Sequence, residues 1–361
     1  MNKLTLVKQM VRSKIKSTPY KLNFVTTAAC NSKCVTCNIW KVYLDDPSVV
    51  KNELTLEELK KIFDNLPDTI SWLSLTGGEP FLRTDLADIM IEAQKRIKNL
   101  QLLSMPNNGL IPDRVINCLK RVLADKNHVP MIMTFSIDGP EEIHDVVRGV
   151  KGGYKRTMEA YTRVKELTKD DPNFQVAIET TISSRNVQYL YDWFEKLLNA
   201  GNKVSVTVAH EAYLYKNTND QLGITPRDHI EEIKRITKLF DKYLSRFDPK
   251  QMMERLYMHK IPQFLEKNGG KDGDKQLVPC QSLSASIAMN SFGELTPCLM
   301  WDKKLANIRD YEYDLKKIIA LQTTKDVRQM IKEEKCPNCW TPCEAYQSIF
   351  WGLMNGKYLM K

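Results

Sequence analysis

The sequence predicts an α/β protein: a partial (β/α)6 barrel of parallel strands, followed by a smaller cysteine-rich α+β domain. Three observations predict it. Short apolar runs alternate six times with amphipathic helical segments between residues 22 and 210, the pattern of parallel strands joined by right-handed crossovers. Glycine, asparagine and cysteine collect just after the strands, where barrels place their chemistry. The nine cysteines divide into three near the start, one in mid-chain and five near the end.

The elements follow in order. "LNFVTT" is a buried strand, and "TLEELKKIFDNL" a helix capped by Thr55 with Glu58 three residues on, a capping box. "SWLSLT" is the second strand, followed by a helix near Leu86 to Lys98. "LQLLSM" is the third, with a helix starting at Pro112, and "VPMIMTFSI" the fourth, with a helix from about Tyr154 to Thr168. "FQVAIETTI" is the fifth, with a helix from Val187 to Asn199, and "KVSVTVAH" the sixth. The rhythm then breaks. Residues 211–275 read as a helical insertion rich in Lys, Glu and Met, ending in the connector "KNGGKDGDK". Residues 276–361 contain a hairpin turning at Gly293 and short helices. Residues 1–21 form a basic segment that reads as a helix covering the barrel's underside, with contact to an anionic membrane surface as the other use of its lysines.

The chain has 361 residues, 42% of them hydrophobic, enough for one large core with a smaller one attached. No run of eighteen apolar residues appears, which excludes a membrane-spanning helix, and the N-terminus lacks the apolar core of a signal peptide. A cytoplasmic setting is therefore expected, in which an odd number of reduced cysteines points to metal or catalysis rather than disulfides. The net charge of +9 is spread along the chain without a dense Lys/Arg block, so nucleic acid is not expected as a partner.

Cys30, Cys34 and Cys37 crowd one loop after the first strand. Three thiolates leave one vertex of a tetrahedral or cubane site open. About forty residues later comes Gly77-Gly78-Glu79-Pro80, after the second strand. On these two motifs the sequence resembles the radical S-adenosylmethionine (radical SAM) superfamily, whose fold is a partial TIM-like barrel. The resemblance implies a [4Fe-4S] cluster on the three cysteines, whose open iron chelates the amino and carboxylate groups of S-adenosyl-L-methionine. A reduced cluster would then cleave the cofactor to a 5′-deoxyadenosyl radical that takes hydrogen from an unactivated C–H bond. It further implies that the Glu79 carboxylate accepts from the cofactor's ammonium and that Gly77 and Gly78 let backbone approach the methionine. Ser136, Asp138 and Arg148 would contact its ribose and carboxylate, Asn108 would shape the pocket and Ile182 would lie near adenine. Thr36 departs from the pattern, which has an aromatic residue before the third cysteine.

Cys280, Cys298, Cys336 and Cys339 make a complete four-thiolate set. Their spacing, with Gly293 five residues before Cys298, resembles the SPASM auxiliary-cluster region in its shortened twitch form. The resemblance implies one auxiliary [4Fe-4S] cluster; zinc is the alternative occupant. Cys343 is surplus: a ligand that exchanges with a neighbouring cysteine, a hydrogen-atom donor in an epimerase, or a small buried residue. Cys118 falls on the apolar side of a helix and reads as core.

A fully ligated auxiliary cluster suits electron acceptance, so an oxidoreductase-type reaction is expected, with flavodoxin or ferredoxin as external one-electron donor. Only about twenty residues precede the first strand, which favours a small-molecule substrate over a peptide. An epimerase, a peptide (RiPP-type) maturase and a non-catalytic zinc or iron–sulfur binding protein are the alternatives.

Overall fold

The structure, a computed structural model, describes residues 3–218, 223–267 and 276–355. Its elements are α1 (Lys3–Lys16), β1 (Lys21–Val25), α2 (Ile39–Asp45), α3 (Leu56–Asn65), β2 (Trp72–Thr76), α4 (Leu86–Arg96) and β3 (Leu102–Asn107). They continue with α5 (Pro112–Val122), β4 (Met131–Ser136), α6 (Glu141–Arg148), α7 (Gly153–Leu167), β5 (Phe174–Ile182), α8 (Leu190–Asn199) and β6 (Val204–Val208). Beyond the barrel come α9 (Ile230–Tyr243), α10 (Pro249–Glu266), β7 (Ser286–Met289), β8 (Glu294–Thr296), β9 (Ala306–Asn307), α11 (Leu315–Ala320), α12 (Gln322–Lys332) and α13 (Pro342–Met354). The connector after Lys267 lies outside the described residues.

All six expected strands form, and they pair in parallel in the order β6-β5-β4-β3-β2-β1. The capping box of α3 is present, with Thr55 and Glu58 satisfying each other's backbone N–H groups. The hairpin turns at Gly293, whose φ of +84° only glycine takes without strain.

The sheet does not stop at the predicted domain boundary. Strand β7 pairs in parallel with β1, and β8 and β9 extend the same sheet. The cysteine-rich region is thus joined edge to edge with the barrel. Several short elements were not anticipated, α2 among them. Helix α6 is hidden in the sequence by its Gly-Pro start and its eight-residue length, and the helix expected from Val187 opens with a 3-10 turn before α8.

Six strands leave the barrel open on one side. Two helices close it. Thr207 of β6 lies beside Tyr257 of α10, and Glu254 of α10 accepts from the Tyr346 hydroxyl of α13. Glu344 of α13 then accepts from Ser286 Oγ of β7 at 2.8 Å and 2.9 Å. The ring therefore runs strand, helix, helix, strand.

Alternation along β1 divides two environments. Leu22 and Phe24 join the large core under the outer helices. Lys21, Asn23 and Val25 face the interior: Lys21 Nζ lies 4.2 Å from the centroid of the Trp72 ring, its register neighbour on β2. Helix α1 closes the bottom, as expected, with Leu6 and Met10 packed on Tyr20, Trp72 and Trp351. Arg12 and Lys16 both pair with Asp68.

Candidate active site

The three cysteines sit on the loop from Thr26 to Asn38, at the C-terminal end of β1. A long loop at this place is a poor platform unless its backbone is tied down, and here it is tied by five elements. Gly78 N donates to Thr27 O (2.9 Å) and Glu79 N to Ala29 O (2.8 Å), a strand-like zip. On the other flank, Lys33 N donates to Arg148 O (3.0 Å) and Val35 N to Val147 O (2.9 Å), at the end of α6. Asn108 Nδ2, after β3, donates to Asn31 Oδ1 at 2.7 Å and Ser32 Oγ at 3.1 Å. Past the third cysteine, Asn217 Nδ2 donates to Thr36 O at 2.9 Å, and Asn38 N donates to Tyr215 O at 2.7 Å. The buried carboxylate of Glu53 accepts from Ala28 N at 2.6 Å.

This explains the glycines. A Cβ on Gly78 would stand 2.1 Å from Ala29 O, and one on Gly77 would stand 2.6 Å from Thr27 O. Both positions are filled by the cysteine loop itself, so the close approach they serve is first to this chain's own backbone. Glu79 is buried, with Oε1 accepting from Phe81 N (3.0 Å) and Oε2 from Asn108 N (2.7 Å). Burial pushes its carboxyl up to about 7. Pro80, also buried, opens the 3-10 turn that follows.

Burial raises the pKa of all three thiols; the charges of Cys34 and Cys37 raise Cys30 further, and that of Cys34 raises Cys37, so the three lie within electrostatic reach. Arg148 opposes this: its Nη1 is 3.9 Å from Cys34 Sγ. In the second set, Cys298, Cys336 and Cys339 raise Cys280, Cys336 and Cys339 raise Cys298, and Cys336 raises Cys339. Gln276 ties two of them, accepting from Cys280 N at 2.8 Å and donating to Cys336 Sγ at 3.1 Å. Among the described residues, no three of His, Cys, Asp or Glu close around a point that a single ion would fill. Soft thiolate sets of this kind suit iron–sulfur clusters, whose ligands surround a wider volume than one ion.

Other expected residues divide. Ser136 ends β4, opposite Glu179 of β5. Asp138 is 1% exposed, and both its oxygens have partners inside the protein: Arg148 Nε at 2.6 Å and Thr181 N at 2.8 Å. Ile182 is fully enclosed in the core at the end of β5. Cys118 packs against the core from α5, as read from the sequence. Cys343, on the first turn of α13, touches Val25, Ala288 and Leu299. It feels the charges of Lys21, Glu344 and Glu179.

Sequence reasoning missed Glu179, Lys21 and Tyr215. Glu179 accepts from Thr134 Oγ1 at 2.8 Å, and burial raises its pKa. Tyr215 senses both Cys37 and Cys343. Lys21 is buried, while Glu179 and Tyr215 keep a little surface, and these groups act electrostatically on one another and on Cys343. A charged residue inside the apolar strand "FQVAIETTI" was the legible signal for Glu179; Tyr215 lies on a turn with none. A cleft of about 830 Å³ borders Cys30, Trp40 and Arg83.

The three thiols thus sit on a clamped loop at the C-terminal end of a parallel strand, the end at which barrels of this kind carry their chemistry. Residues 24–182 match the family described as the Radical SAM superfamily, and the chain carries a radical SAM domain over that span. Among curated proteins it is 25% identical over 300 residues to the antilisterial bacteriocin subtilosin biosynthesis protein AlbA of Bacillus subtilis, covering 82% of this chain. It is 27% identical over 185 residues, 51% of this chain, to the sporulation killing factor maturation protein SkfB of the same organism. The chain spans 59% of the first relative's length and 40% of the second's. Two solved structures share the fold. Native anSMEcpe with bound AdoMet has a TM-score of 0.57 at 16% identity, covering 95% of this chain and all of that one. Streptococcus suis SuiB bound to precursor peptide SuiA has a TM-score of 0.58 at 13% identity, covering 95% and 73%.

Proposed function

We propose that this chain is a radical SAM enzyme that modifies a peptide, with Cys30, Cys34 and Cys37 holding the cofactor-binding [4Fe-4S] cluster. Cys280, Cys298, Cys336 and Cys339 hold one auxiliary cluster. The observation that carries the reading is the clamped loop: three thiols fixed by backbone bonds from the glycine turn, Asn108 and α6, with no fourth cysteine on the loop. When bound, the cluster and S-adenosylmethionine supply reductive cleavage to a 5′-deoxyadenosyl radical. The chain's own residues orient and shield that chemistry. Glu79 presents a buried carboxylate next to the loop, Ser136 ends the adjacent strand, and α10 and α13 keep water from the open side of the barrel.

The peptide replaces the small molecule expected from the short segment before β1. It is supported by the names of AlbA and SkfB, a bacteriocin biosynthesis protein and a maturation protein. The four-thiolate set leaves no vertex for substrate, which supports an electron-accepting role and an oxidoreductase-type outcome.

Iron and sulfide content of protein purified without oxygen tests the cluster assignment. About eight irons, falling to about four in a Cys30/Cys34/Cys37→Ala variant, are expected; about four falling to none would leave the C-terminal cysteines to zinc. With dithionite and S-adenosylmethionine, 5′-deoxyadenosine should form in wild type and not in that variant.

A second reading, a radical epimerase, is favoured by one observation. The Cys343 thiol is packed near Val25 within reach of Lys21 and Glu179, and burial raises its pKa, which favours the protonated form that a hydrogen-atom donor needs. Under that reading Cys343→Ala abolishes turnover while 5′-deoxyadenosine is still made. Full activity in the variant would sink it.

A further inference from the structure

We infer that Arg148 and Asp138 form a buried charge pair that sets the reduction potential of the three-thiolate cluster, with Asp138 as a positioning residue acting through Arg148. The inference rests on the proposed reading that Cys30, Cys34 and Cys37 hold a four-iron cluster. It departs from the expectation that Asp138 contacts the cofactor's ribose.

The geometry is specific. Arg148 Nη1 lies 3.9 Å from Cys34 Sγ, while its Nε lies 2.6 Å from Asp138 Oδ2. The guanidinium is thus held between a carboxylate and a ligand sulfur. Its side chain is 15% exposed and that of Asp138 is 1% exposed, so solvent screens neither charge well. Asp138 cannot swing away. Its Oδ1 accepts from Thr181 N at 2.8 Å, its carbonyl accepts from Asn186 Nδ2 at 2.9 Å, and its N–H donates to His144 Nδ1 at 3.2 Å. Arg148 is fixed from its own side, since its carbonyl accepts from Lys33 N at 3.0 Å. The next residue, Gly149, has a left-handed φ of +64°, and a Cβ there would stand 2.3 Å from Lys33 O.

Adding one electron from a low-potential reductant adds one negative charge to the cluster, and no bond need break in that step. A guanidinium beside a ligand sulfur favours the reduced form and raises the potential. The Asp138 carboxylate opposes this by cancelling part of the guanidinium's field. It also fixes the fork so that Nη1 faces the sulfur. A cluster of this kind must be reducible from outside and still reducing enough to cleave its cofactor. The pair balances those demands.

The two members should therefore move the potential in opposite directions. The experiment is an EPR-monitored redox titration of the full chain with its clusters, without S-adenosylmethionine, so that cofactor contacts to Arg148 play no part. The relevant signal is the one missing from the Cys30/Cys34/Cys37→Ala variant. Arg148→Gln should shift its midpoint to more negative potential, Asp138→Asn to more positive potential, and Arg148→Lys should fall between wild type and Arg148→Gln. Unchanged midpoints, or shifts of the same sign in Arg148→Gln and Asp138→Asn, overturn the inference. If Arg148→Gln loses iron, Asp138→Asn and Arg148→Lys decide it alone. Absence of any signal that depends on the three cysteines would overturn the cluster reading itself, an outcome distinct from unchanged midpoints.

Discussion

Gly78 shows how much a single hydrogen atom can carry. Replacing it by alanine drives a methyl group into the Ala29 carbonyl, on a loop that the end of α6, Asn108, Asn217 and Glu53 also hold in place, so the cysteine loop must yield. Gly78→Ala should lose about half of the bound iron, read by metal analysis, while the auxiliary site keeps its share. Glu254 makes a prediction of a different kind. Burial pushes its carboxyl up to about 7, with the nearby Glu179 charge adding to the rise. A raised carboxyl stabilises the fold fully below its unfolded value near 4.5, and that contribution fades as pH climbs through about 7. Glu254→Gln removes the titration. The variant should therefore gain stability relative to wild type as pH rises from 5 to 8, by at most roughly 3 kcal/mol, seen as a flatter plot of Tm against pH. At this scale the sequence was legible where a motif fixed the role, as for the three loop cysteines. It was silent where the role depends on a neighbour brought in from afar. Asp138 reads as a cofactor contact, and nothing near it in the sequence announces its partners Thr181 and Arg148.

Helices and strands were easier to read, because each announces itself by period and cap. Helix α3 is the clear case, and its capping box also reaches beyond the element. Glu58 pairs with Arg309 at 2.6 Å and accepts from the Tyr313 hydroxyl at 3.2 Å, binding the helix to the C-terminal region. Hydrogen bonds from Arg309 hold its carboxyl down to about 2. That contribution is present above the unfolded value near 4.5 and is lost as pH falls towards 2. Glu58→Gln should cost about 1 kcal/mol at pH 7, given the partial exposure of the pair. The difference from wild type should vanish in acid-unfolding curves near pH 2. Helix α6 was illegible for the opposite reason: two turns give too few apolar repeats to show a period, although it delivers Arg148 to the cluster loop. The closing of the barrel by α10 and α13 was equally hidden. Both helices read as ordinary amphipathic segments, and nothing local says which gap they fill.

For the whole molecule, the continuous sheet matters more than the division into domains. The sequence places a boundary near residue 276 by composition, and the chemistry does change there, but β7 completes the hydrogen bonding of β1. A chain ending at Lys267 should therefore lack one flank of β1 and one of the two closing helices. Near-UV circular dichroism and dye binding should show lost packing and exposed apolar surface, and a cooperative thermal transition in that truncation would show the barrel to be self-sufficient. The pairing of β1 with β7 also orders events in time. Strand β1 leaves the ribosome long before β7 and waits for it before its neighbours are complete, and such distant pairings form slowly. The cysteine loop is meanwhile made early, on an unclosed barrel. Delivery of its cluster is then safest after the C-terminal residues have emerged, when the barrel has shut around the place where a radical would be made.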